Sequence, residues 1–309
     1  MNNQTNSVFR VKEIPRLRKS SAPFLSGDTF MHLADYVLLK EFDLQYLVNL
    51  LDKVELELEQ NKKILFIEVS ALESSEIQNV LMLWLEKIYM NCRDNLTVLI
   101  HNGDHIPKRT FYEILVGSGV HVYSVNCTNE QYGVKPLPIG LENKHFHGNG
   151  VGRQFAISKD RKFHLNVCSD QSGEVFASFN ISTNLDERSK TKKLIVESGH
   201  NFTEPNLTRK KYQASVRRSR FVISPPGNGL DCHRTWEAIY LGSVPVVLKK
   251  FLNEKLIEIF PIIAVNEWCE FLDLSSNERD VLVSQFDGME YPAMAIDYWS
   301  NALRRSNEL

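Results

Sequence analysis

The stretch FVISPPGNGLDCHRTWEAIYLGSVPVV, Phe221 to Val247, decides how this chain is read. Phe221 to Ile223 is a short apolar run, Pro225 to Gly229 interrupts it, and Val244 to Leu248 is apolar and β-branched. The order is therefore strand, turn, helix, strand. Asp231 is placed to cap the helix, whose free N–H groups and positive dipole end would then flank the turn and attract an anion. On a helical wheel Cys232, Trp236 and Ile239 share one arc, and His233, Arg234, Glu237 and Tyr240 share its neighbour, so one side packs and the other binds. Glu237 follows His233 by four residues and Arg234 by three, which sets a carboxylate on the face of two potential cations. A nucleoside diphosphate needs that mixture: cations and N–H groups for its phosphates, a carboxylate for its ribose diol. An amphipathic helix with a solvated Arg234–Glu237 pair is the plainer alternative. Gly227 and Gly229, which let a backbone approach a ligand, weigh against it.

Taken whole, the 309 residues are 43% hydrophobic and 24% charged, ordinary for a globular chain and long enough for two domains. A formal net charge of -2 argues against a nucleic-acid partner. The densest basic clusters, Arg16 to Lys19 and Arg209 to Lys211 with Arg217, Arg218 and Arg220, read as solvated faces. No run of about 18 apolar residues predicts a membrane span, and MNNQTNSVFR lacks a signal-peptide core, so a cytoplasmic protein is expected. The five cysteines (92, 127, 168, 232 and 269) are scattered without a CxxC pair, which predicts reduced thiols. Without an export signal the Asn-x-Ser/Thr triplets at Asn95, Asn180, Asn201 and Asn206 read as chance.

Strands alternate with helices along the chain. Residues 1–25 are a polar, basic arm. SGDTF places a turn at Gly27 and Asp28. Helices are predicted at 43–60, 73–90 and 110–115, and strands at 64–70, 96–100 and 121–125. Such alternation indicates a parallel, doubly wound sheet, with ligands beyond the carboxyl ends of the strands, where His101, Asn102, Gly103 and Asp104 fall. Lys135 to Gly152, rich in proline, glycine and histidine, is read as the crossover between domains. Its Glu142, His145 and His147 are too few for a metal site and read as a polar loop lining a cleft. The second half repeats the alternation: strands at 174–179, 221–223, 244–248 and 261–265, and helices at 186–198, 210–218, 275–285 and 291–305. In FNISTNLDER, Asn184 and its neighbours can cap a helix carrying Arg188 in its first turns, a second end facing an anion.

SPPGNGLDCHRTWEAIYLGSVPVV resembles the carboxyl-terminal donor-site motif of exostosin-like glycosyltransferases, in its Ser-Pro-x-Gly turn, His-Arg-x-Trp-Glu-Ala helix and Gly-Ser-Val-Pro-Val-Val strand. FNISTN with Arg188, LPIGLEN and SGDTF also look like pieces of small transferases of this kind. The resemblance implies a two-domain GT-B fold, here residues 26–145 on the acceptor side and 146–290 on the nucleotide-sugar side, with a carboxyl-terminal helix at 291–309. It implies transfer of a sugar from a nucleotide sugar, UDP favoured over GDP, to a glycan or other hydroxyl acceptor, with no cofactor and no metal. It also implies a donor site at Ser224, Gly227, Asn228, Gly229, His233, Arg234 and Glu237: Glu237 on the ribose, Arg234 and the glycine backbone on the diphosphate, Arg188 and Asn184 as phosphate neighbours. Animal exostosins are larger and membrane-anchored, and this chain looks more like a small cytoplasmic bacterial or viral relative.

In an inverting transfer a base from the amino-terminal half takes the acceptor proton; Asp104, Asp28 and His101 are the candidates. Two other classes stay open, a nucleotide-sugar or glycan-binding module without catalysis and a purely structural α/β protein, which titration with UDP, GDP and their sugars would separate. A nucleotide-sugar epimerase would carry a GxGxxG turn near its amino terminus, and this sequence has none there.

Overall fold

A computed structural model describes residues 18–58, 61–88, 95–128, 133–146, 155 and 174–305. Most of the expected arm, Arg16, Cys92, Cys168, His147 and the end of the expected crossover lie outside them. The described chain is α/β, with two parallel sheets.

The first sheet runs in the order β1 (Tyr36–Leu38), β2 (Lys63–Glu68), β3 (Leu96–His101), β4 (His121–Ser124), β5 (Val134–Pro136). Between them lie α2 (Leu44–Leu58), α3 (Ser75–Ile88) and α4 (Arg109–Gly117), while α1 (Gly27–Met31) precedes the sheet. The second sheet runs β6 (Val175–Phe176), β7 (Phe221–Ile223), β8 (Val244–Leu248), β9 (Ile263–Val265). Its helices are α5 (Leu185–Glu197), α6 (Arg209–Arg218), α7 (His233–Leu241) and α8 (Glu254–Ile259), followed by α9 (Cys269–Leu272), α10 (Ser276–Ser284) and α11 (Ile296–Arg305).

Strand order follows chain order in both sheets, without the reversal of a doubly wound sheet. That expectation is corrected among the described residues. Right-handed crossovers in such an order place α2, α3 and α4 on one face of the first sheet. Other helices serve the opposite face. Phe30 of α1 stacks on His101 at the end of β3, with ring centroids 5.4 Å apart, and meets Trp299 of α11 edge-on at 5.6 Å.

Alternation along the second sheet feeds two cores. Phe221, Ile223, Val244, Val246 and Leu248 pack with Trp268, Phe271 and Val283. Val222 and Val247 join Trp236, Ile239 and Tyr240 of α7 in the core that also fills the first half. One apolar core thus runs beneath both sheets.

Three local readings are corrected. Gly27 and Asp28 begin α1, capped by Ser26, rather than forming a turn. A Cβ on Gly27 would collide with Asn102, a left-handed residue with φ 58°. β5 lies inside the expected crossover, and β1 precedes the first strand expected; both are too short to show a period. Gly140 has φ +69°, beside the segment Leu25–Ser26, where Leu141 N–H donates to Leu25 O at 2.8 Å. A Cβ there would strike the Leu25 carbonyl, so Gly140→Ala combines a strained φ with a backbone clash. We expect it to cost about 2–4 kcal/mol, read as a lower midpoint in denaturant unfolding.

Candidate functional site

β7 ends on Ile223, Ser224 follows it, and the turn Pro225 to Leu230 carries the chain over the carboxyl end of the second sheet to α7. Asp231 does not cap α7. The helix starts after Cys232, without a side-chain cap; Thr235 N–H donates to Cys232 O at 3.0 Å, and the N–H groups of His233 and Arg234 have no partner among the described residues. Asp231 is buried instead and accepts from Ile139 N–H at 2.8 Å and Trp236 Nε1–H at 2.9 Å. Burial pushes its carboxyl up to about 6, against those donors. Asn126, left-handed after β4 with φ 55°, accepts from Asp231 N–H at 2.9 Å and donates to Gly103 O at 3.2 Å. His233 Nδ1 meets Gly140 O at 2.8 Å, and Asn228 Nδ2–H donates to Asp104 Oδ2 at 3.3 Å. Four polar contacts therefore fasten this turn to the first half.

A cavity of about 640 Å³ opens beside it. The first half contributes Asp104, Ile139 and Glu142; the second contributes Phe179, Arg188, Gly227 to Gly229 and Cys232 to Arg234, with Arg209, Tyr212, Gln213 and Glu237 further round. The Arg188 and Arg234 guanidiniums both lie over the Phe179 ring, 5.7 and 5.6 Å from its centroid.

The two arginines differ in their partners. Arg188 is buried, and its Nε–H and Nη1–H donate to Pro226 O and Asn180 O at 2.7 Å each. Burial, then the charge of Arg234, lowers its pKa to about 10. Arg234 Nε is buried with no partner among the described residues. Such a donor costs about 1–3 kcal/mol until something accepts from it. Glu237 is half-buried, hydrogen-bonded to Tyr212, and raised by burial against the pull of His233 and Arg234. Gln213 Oε1 is a second buried polar atom without a partner.

Of the residues expected in the site, Arg188, Gly227, Asn228, Gly229, His233, Arg234, Glu237 and Asp104 line this cavity. Asn184 stands behind it, capping α5 and donating to Gly227 O at 3.1 Å. Ser224 turns inward to Thr235 Oγ1 at 2.8 Å. Tyr240 is placed by packing: its hydroxyl donates to Met294 O at 2.7 Å and accepts from Leu25 N–H at 3.1 Å. The glycines answer to protein neighbours, since a Cβ on Gly229 would meet Asn126 and one on Gly227 would meet Arg188. Asp28 and His101, expected at the cleft, are inside the protein and away from the cavity wall. Among the described residues no group of three His, Cys, Asp or Glu could hold a metal, and no helix is long and apolar enough to cross a membrane.

Sequence reading missed Asn126, Phe179, Tyr212 and Gln213. The basic run of α6 hid the last two, because Gln213 and Val216 supply its buried side. Arg209 of that run lines the cavity, and Arg220 pairs with Glu174 at 3.4 Å and with Asp280 rather than standing in solvent.

Residues 153–286 match the family model of the RXYLT1 C-terminal domain. The match is a likeness of this segment to that domain. It covers less than half of the 309 residues, and within it lie the second sheet and most of the cavity wall. No curated protein matches the chain.

His101 offers a check on its interior placement. Burial lowers its pKa from 6.5 to about 4. The folded value lies below the unfolded one, so the stability gained by keeping the ring neutral is complete above pH 6.5 and is lost as pH falls toward 4. His101→Gln removes that dependence while leaving the opposite contribution of Asp231 in both proteins. The Tm gap between wild type and His101→Gln should therefore narrow as pH falls from about 7 to 4.5. A gap constant with pH would place His101 in water.

Proposed function

We propose that the protein is a glycosyltransferase of GT-B arrangement that moves a sugar from a UDP-linked donor to a glycan or other hydroxyl acceptor. The observation that carries this reading is Arg234, a guanidinium with a buried, unpartnered Nε at the cavity wall beside a second guanidinium. Two cations on one aromatic ring repel until an anion joins them. The uncapped start of α7 adds N–H groups and the positive end of a helix dipole.

On this reading Arg234, the α7 terminus and His233 hold the diphosphate and take up its charge as it leaves. Arg188 and Asn184 act through the turn, since both donate to carbonyls of Pro226 and Gly227. Glu237, within reach of the Tyr212 hydroxyl, receives the ribose diol. The fixed cations supply the charge a divalent metal would bring, so transfer proceeds in EDTA. Asp104 faces the donor from the other half, its carboxylate held by Asn228.

Calorimetric titration with UDP tests the reading. Arg234→Ala should weaken UDP by about 10- to 100-fold with little change in Tm, because it removes a charge-assisted contact. Arg188→Ala should lower Tm first, since it releases three carbonyls. Wild-type protein that does not bind UDP would refute the donor site. Binding without UDP release from any sugar nucleotide would make the protein a binding module.

A further inference from the structure

Asp28 is fully buried, yet the cavity does not use it. Its Oδ1 accepts from Asn102 Nδ2–H at 3.1 Å, and its backbone N–H donates to Asn143 Oδ1 at 2.7 Å. Asn143 Nδ2–H closes a ring onto Asn102 Oδ1 at 3.0 Å. The other oxygen, Oδ2, lies 3.0 Å from Nδ1 of His145, whose side chain is 29% exposed. A carboxylate held this way fixes the imidazole tautomer: the proton sits on Nδ1, and the lone pair is on Nε2. Nε2 has no partner among the described residues.

The placement of this pair is as informative as its geometry. Asn102 is two residues before Asp104, and His145 is three after Glu142; Asp104 and Glu142 both line the donor cavity. The pair therefore sits where the two loops of the first half leave for the cavity, outside the space the donor occupies. Phe146 is exposed and lies against His145, with centroids 4.1 Å apart, an open apolar face beside the free nitrogen. Lys144, adjacent in sequence, has its ammonium on Ser20 O at 2.5 Å, and the contact of Nδ1 with Asp28 Oδ2 is the polar contact of the His145 ring among the described residues.

We infer that His145 is the base that takes the proton from the acceptor hydroxyl, that Asp28 is its positioning residue, and that transfer therefore inverts the anomeric centre. The inference rests on the glycosyltransferase reading above. The acceptor oxygen forms the new bond to the anomeric carbon. The bond from that carbon to the diphosphate breaks, with its electron pair on the phosphate oxygen. The hydroxyl proton goes to His145 Nε2 while Nδ1–H stays with Asp28. Retention would need no such base.

UDP release from UDP-glucose, UDP-galactose, UDP-N-acetylglucosamine and UDP-xylose tests this in wild type, His145→Gln, Asp28→Asn and Asp104→Asn, with UDP affinity measured alongside. His145→Gln should lose at least about 100-fold in turnover while binding UDP within about twofold of wild type. Asp28→Asn should lower kcat by about 10-fold or more with KM for the donor little changed, because the carboxylate that orients the His145 ring is lost. A role in stability alone would leave kcat per folded molecule unchanged. If Asp28→Asn fails to fold, the half-exposed His145 variant still decides. His145→Gln with wild-type turnover, above all beside an inactive Asp104→Asn, overturns the inference and leaves the donor site standing. Wild-type protein that fails to bind UDP overturns the donor reading itself.

Discussion

One buried carboxylate sets the geometry of the cavity. Asp231 takes an N–H from Ile139 in the first half and the indole N–H of Trp236 in α7, while its own N–H goes to Asn126 after β4. A charge removed from water is costly unless its lone pairs are filled, so the two segments that donate to it are held in register, and Asn126 fixes the backbone between them. His233, two residues on, then reaches Gly140, and Arg234 is delivered to the cavity with its Nε unpartnered among the described residues. The glycines of the turn, read in the sequence as letting the backbone approach a ligand, make room for Asn126 and Arg188.

The division of labour between the two arginines follows from that arrangement. Arg188 spends its donors on the carbonyls of Asn180, Pro225 and Pro226, which fixes the turn from below. Arg234 shares the same aromatic ring with its Nε unfilled. A guanidinium locked into carbonyls cannot reorient toward a ligand, whereas its neighbour can, at no cost in protein hydrogen bonds. The site thus holds one guanidinium engaged by backbone carbonyls and one whose Nε has no partner among the described residues.

Much of this was legible in the sequence where patterns were long. The helical stripe of Leu47, Leu51 and Val54 and the apolar runs of β2 and β3 announced themselves. The three-residue strands β1 and β5 could not, because three residues carry no period. On the arc of α7 read as binding, His233, Arg234 and Glu237 line the cavity, whereas the hydroxyl of Tyr240 is claimed by Leu25 and Met294, more than 50 residues away in sequence. Asp231 was misassigned for a related reason. A residue before a helix looks like a cap, and only the approach of Ile139 and the Trp236 ring shows that its oxygens are engaged elsewhere. Asn102 and Asn126 look like ordinary strand-end polar residues until their left-handed backbone and their distant partners are seen.

The shared core beneath the two sheets bears on where this protein can be cut. The region matched by family likeness stops at residue 286, ahead of α11. Trp236, Ile239 and Tyr240 of α7 sit in one apolar cluster with Trp299 and Leu303 of α11 and with the helices and strands of the first half. Excising the matched region would strip the covering from that face of α7 and leave a large apolar surface in water. The unit of sequence kinship and the unit of cooperative folding have different edges in this molecule. Transplanting this cavity wall into another scaffold would have to carry a substitute for the missing half of its core.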